Sequence, residues 1–76
     1  MSTNKLIRST GAELLAIVRQ KEPEMYIPLQ VESEFTDSPR GSSVSWTATF
    51  GRYTVSEKTL EAALDALRAA VVVGNA

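Results

Sequence analysis

Glu32 and Glu34 stand two residues apart where apolar and polar side chains alternate, and they are the nearest this chain comes to a catalytic pair. On an extended strand they point the same way about 7 Å apart, a spacing at which two carboxylates can hold a divalent cation or divide acid and base duties. Either task needs desolvation, which an open sheet face does not supply, so the pair reads as solvated surface. Hydroxyls are plentiful, but the chain has no histidine and no cysteine. A serine or threonine nucleophile would therefore need a lysine or a carboxylate as its base, and Lys5, Lys21 and Lys58 all sit in contexts that read as exposed. Gly11, Gly41, Gly51 and Gly74 are isolated, so no phosphate-cradling loop is formed. A non-enzymatic protein without metal or cofactor is expected.

Composition narrows the classes further. Eight Lys plus Arg against nine Asp plus Glu give a net charge of −1, short of the positive excess that phosphate backbones select. Direct nucleic-acid binding is not expected. Without cysteine there is no disulfide framework, and without histidine the usual zinc ligands are missing. Met1 to Arg8 offers only Leu6 and Ile7 as an apolar pair, so neither a signal peptide nor a membrane span is read and a cytoplasmic protein is expected. Seventy-six residues suffice for one domain with about 5 kcal/mol of stability.

The element that positions everything else is a hairpin running into a helix, from Val44 to Val72. Val44, Trp46, Ala48 and Phe50 alternate with Ser45, Thr47 and Thr49, the period of a half-buried strand. Gly51 and Arg52 suit a two-residue type II′ turn, because glycine takes the required positive φ cheaply. That turn pairs Phe50 with Tyr53, Thr49 with Thr54 and Ala48 with Val55, so apolar partners share one face and threonines the other. Ser56 is the expected N-cap, with Val55 and Leu60 as a hydrophobic staple, so the helix should start near Glu57. Leu60, Ala63, Leu64, Leu67 and Val71 form its stripe, and Gly74 its stop.

Upstream, residues 1–9 are read as a loose arm, 10–74 as the domain and 75–76 as a tail. Thr10 and Glu13 have capping-box spacing, predicting a helix of about three turns whose stripe is Leu14, Leu15, Ile17 and Val18. Arg19 and Lys21 would sit at its negative end, and Pro23 prevents continuation. A period of two from Tyr26 to Thr36 predicts a first strand, with Ile27, Leu29, Val31 and Phe35 on one face and Gln30, Glu32 and Glu34 on the other. Pro28 lacks an amide donor and marks that strand as a sheet edge, or as bulged there. Asp37 to Ser43 reads as a turn-rich connection. Val71 to Val73 is either a half-buried last helical turn or an exposed dimer patch, so monomer and homodimer both stay open.

The resulting fold class is α+β, a two-layer α-β-β-β-α arrangement in which both helices cover the Trp46 face of a three-stranded antiparallel sheet. Trp46 is expected in the core. The opposite face would carry Gln30, Glu32, Glu34, Ser45, Thr47, Thr49 and Thr54. Of these, Gln30, Glu32, Glu34, Thr47, Thr49 and Thr54, joined by Arg40 and Arg52 in the turns, are the candidate partner-binding residues.

Three resemblances follow. The α-β-β-β-α order resembles the double-stranded-RNA-binding domain, whose helix-start motif of Ser, two Lys, a spacer, Ala and Lys is matched at Ser56 and Lys58. Glu57 and Glu61 reverse the sign of two phosphate-contacting positions, so this likeness implies the topology and argues against the RNA activity. Thr54 to Leu67 resembles the end of HicB-type antitoxins, where a hairpin runs into a helix beginning Thr, spacer, Glu, Glu, Ala, Leu. Thr59, Glu61, Ala63 and Leu64 keep that pattern, and the resemblance implies a toxin as partner. In size and style the chain is also similar to small phage inhibitors of host machinery, anti-CRISPR proteins among them, which implies a larger host complex as partner.

Overall fold

The structure, a computed structural model, describes residues 3–75. Met1, Ser2 and Ala76, assigned above to the arm and the tail, lie outside the described residues. The element order is α1 (Thr3–Arg19), β1 (Leu29–Ser38), β2 (Gly41–Phe50), β3 (Tyr53–Glu57) and α2 (Leu60–Gly74). The three strands make one antiparallel sheet in the order β1-β2-β3, with the helices layered on one face, as the periodicities require. Phe50 pairs with Tyr53, Thr49 with Thr54 and Ala48 with Val55 in the expected register, and Gly51 takes the positive φ of 62° that its turn needs.

Leu14 and Val18 from α1, Ala48 and Phe50 from β2, and Ala63, Leu64, Leu67 and Val71 from α2 form the buried core. Trp46 is not at its centre. It is half-buried at the rim, and Phe50 is the largest fully buried side chain. The reason lies in the length of β3, which ends opposite Trp46, so the chain turns into α2 there and the helical layer stops.

Four boundaries differ from the sequence reading. Helix α1 begins at Thr3 and runs through Thr10 and Gly11, so residues 3–9 are helical rather than an arm. Leu6, Thr10, Leu14 and Val18 recur every fourth residue, and burying that continuous stripe outweighs a cap at Thr10, which is itself buried. Glu13, released from the capping box, pairs instead with Arg68 of α2. At the other helix, Ser56 stays in β3, where its Oγ lies 2.9 Å from Thr47 Oγ1. The N-cap is Thr59, whose Oγ1 accepts from the Ala62 amide at 3.1 Å, so helix α2 starts at Leu60 and Val55 and Leu60 no longer occupy the staple positions of the cap.

The first strand starts at Leu29 rather than Tyr26, leaving Pro28 just outside it, and the connection expected over Asp37 to Ser43 shrinks to Pro39 and Arg40. Ser, Pro and Gly at positions 38, 39 and 41 suit a type I turn. Ser38 Oγ accepts from the Arg40 amide at 3.3 Å and donates to Gly41 O at 3.1 Å. Ser42 Oγ donates to its cross-strand neighbour Asp37 at 2.7 Å. The polar residues thus close a tight hairpin instead of looping out.

Val71 to Val73 divides between the two readings, with Val71 fully buried and Val72 and Val73 48% and 75% exposed. Gly74 ends α2 against the Tyr53 ring, where a Cβ would collide with the phenol oxygen, and Asn75 caps the helix. Arg19 Nε donates to Met25 O at 2.9 Å, tying the connection between α1 and β1 to the helix end.

Candidate functional site

The β1–β2 hairpin has ten residues in each arm and reaches well past the helices. Every residue from Glu32 to Ser45 is exposed. The radius of gyration, 13.8 Å, exceeds the about 11 Å expected of a compact domain this size, and the molecule measures 49 × 25 × 15 Å.

Register places the predicted residues in rows across the face away from the helices. Gln30 pairs with Thr49, which pairs with Thr54, and Glu32 pairs with Thr47, which pairs with Ser56. Glu34 and Ser45 extend the face onto the overhang. Thr54 Oγ1 donates to Thr49 Oγ1 at 3.5 Å, a weak partner to the Thr47 and Ser56 contact, so hydroxyls line the middle of the sheet and carboxylates its β1 margin. The six residues Gln30, Glu32, Glu34, Thr47, Thr49 and Thr54 therefore do share one surface.

Arg40 and Arg52 are not brought together. They occupy the turns at opposite ends of β2, about 30 Å apart by strand rise. Arg40 is exposed at the hairpin tip. Arg52 lies 5.2 Å over the Tyr53 ring and donates to its hydroxyl at 3.2 Å, and that hydrogen bond raises the guanidinium pKa above its ordinary value. A half-open cleft of about 420 Å³ beside it is lined by Val18, Met25, Ile27 and Phe50 with Lys21 and Arg52.

Two features escaped sequence reasoning. Phe35 and Val44, paired across the overhang on the helix-side face, are 66% and 42% exposed because no helix reaches them. Their alternation marked the correct face but carried no information on how far the helices extend. The second is the ion pair of Arg68 with Glu13 between α1 and α2, supported by Asp65 at 2.8 Å, which raises the Arg68 pKa chiefly through the Glu13 hydrogen bond. Its partners are 55 residues apart, beyond any local pattern.

Among the described residues no three His, Cys, Asp or Glu side chains converge on a metal position, and no helix is long and apolar enough to cross a membrane. Comparison with family models, curated proteins and solved structures found no match.

Proposed function

We propose that this protein is a non-enzymatic protein-binding module, a small phage or mobile-element inhibitor that blocks a larger host defence complex. One observation carries the reading: a polar sheet face edged by Glu32 and Glu34 continues onto a hairpin that none of the other described residues covers. Such a blade fits a groove between partner surfaces, and its carboxylates suit the basic side chains that would otherwise hold nucleic acid. Two carboxylates imitate only a short phosphate run, so Arg40 at the tip supplies a second contact.

The test is affinity purification of the tagged protein from candidate host lysates, repeated with Glu32→Lys and Glu34→Lys made together. A stoichiometric partner that is retained by the parent and lost by the folded double variant is expected. Retention with unaltered salt dependence would reject the open face, and no partner from any defence-bearing host would reject the inhibitor reading.

The antitoxin reading gains from one detail. Thr59 is the N-cap of α2, the position at which the HicB-like pattern begins. It requires a toxin gene beside this one, and an isolated gene would dismiss it.

A further inference from the structure

The β1 strand is an edge over its whole length. On one side it pairs with β2 through ten unbroken positions, and among the described residues no strand lies on the other. Every second residue of such a strand turns its N–H and C=O outward, a template for another strand. Edges are ordinarily blunted by proline, lysine, a bulge or brevity. None of these is present here: Pro28 falls before β1, the strand contains no lysine, and its register has no extra residue.

What guards the edge is negative charge. Consider a second copy added antiparallel about Ser33, a register that overlaps nine of the ten residues of each strand. It would set Val31 against Phe35 of the other copy on the helix-side face, a favourable pair. On the other face it would set Glu32 against Glu34 of the other copy, twice, and like charges directly opposite each other are destabilising. A guard of one sign excludes copies of itself and attracts the opposite sign.

We propose, building on the protein-binding reading above, that β1 receives an extended segment of the partner as a fourth strand, with basic and apolar side chains alternating along it. Basic residues lie beside Glu32 and Glu34 on the open face, and apolar residues lie beside Val31 and the exposed Phe35 on the other. Main-chain hydrogen bonds supply the docking, and the alternation supplies the specificity. The exposed Phe35 then acquires an apolar neighbour that the fold itself does not provide.

The probe is a nine-residue peptide alternating valine and lysine, prepared unmodified, N-methylated on the valines, and N-methylated on the lysines. Each is titrated into the isotope-labelled full chain while amide shifts and hydrogen exchange are followed. The unmodified peptide should slow exchange at alternate β1 amides. One methylated form should bind like it and the other at least about tenfold more weakly, because only one set of amides faces the edge. Glu32→Gln with Glu34→Gln should weaken the unmodified peptide by about tenfold at low salt.

Equal binding of both methylated forms would overturn strand addition while leaving the open-face reading intact, since a side-chain interface ignores backbone methylation. Shifts confined to the cleft beside Arg52, or no binding at millimolar peptide, would also overturn it, and the protein-binding reading would then rest on partner capture alone. Slowed β1 exchange in the free protein that scales with its own concentration would make a second copy the occupant and reject the proposal.

Discussion

Strand β2 is two strands in one. Its inner half, Trp46 to Phe50, has β1 on one side, β3 on the other and helices above, and it contributes Ala48 and Phe50 to the buried core. Its outer half, Gly41 to Ser45, has β1 alone and is exposed throughout. Both halves are continuous in hydrogen bonding to β1, so backbone pairing does not distinguish them. Coverage does, and coverage decides where stability resides and where surface is left for a partner.

The same substitution on each half exposes the contrast. Phe50→Ala should cost about 3 to 5 kcal/mol, close to the whole stability expected of this domain, and should leave little cooperative transition in a urea melt. Trp46→Ala, at the boundary, should cost roughly 2 kcal/mol and leave a folded protein with a lower urea midpoint. If it proves as costly as Phe50→Ala, the helical layer extends over Trp46 as well.

A smaller effect sharpens where that layer begins. Thr59→Ala should lose about 1 kcal/mol as the amide of Ala62 loses its acceptor, whereas Ser56→Ala, which removes only an exposed hydroxyl contact, should stay within about 0.5 kcal/mol. The reverse order would move the start of α2 back to Glu57. Phe35→Ala should be the mildest, within about 0.5 kcal/mol in the same melt despite the loss of a whole ring, because that ring already faces water.

The Arg68 and Glu13 contact gives a charge-based check on how the helices are joined. Glu13→Gln should cost about 0.5 kcal/mol at low salt and less at 1 M, as expected of a partly exposed pair. A raised arginine pKa means the cationic form is favoured on folding. Its contribution is thus present below the ordinary arginine value for as long as the Glu13 and Asp65 carboxylates that raise it stay charged, and is lost as pH climbs through the folded value. Arg68 itself should therefore add no pH dependence to a melt near neutrality.

Much of this was legible in the residues alone. The alternation in Val44 to Phe50 and the glycine at position 51 dictated the β2–β3 register, since a slip by one residue would turn every apolar side chain to water. The stripe from Leu60 to Val71 dictated the buried face of α2 for the same reason. With one hairpin, a preceding strand and two amphipathic helices thus defined, the α+β class and the polar face bearing Gln30, Glu32, Glu34, Thr47, Thr49 and Thr54 followed.

Tertiary structure decided whatever depended on competition between equally good local choices. Thr10 and Ser56 are both sound N-caps by residue type. One is buried inside α1 and the other is held in β3, because a longer buried stripe and a longer strand each satisfy more groups than a cap does. Alternation revealed which way Trp46, Val44 and Phe35 point, but exposure along that face depends on where α1 and α2 stop, and this is settled by packing across the whole chain. The bare hairpin and its unpaired edge are consequences of that packing, and no local window of residues contains them.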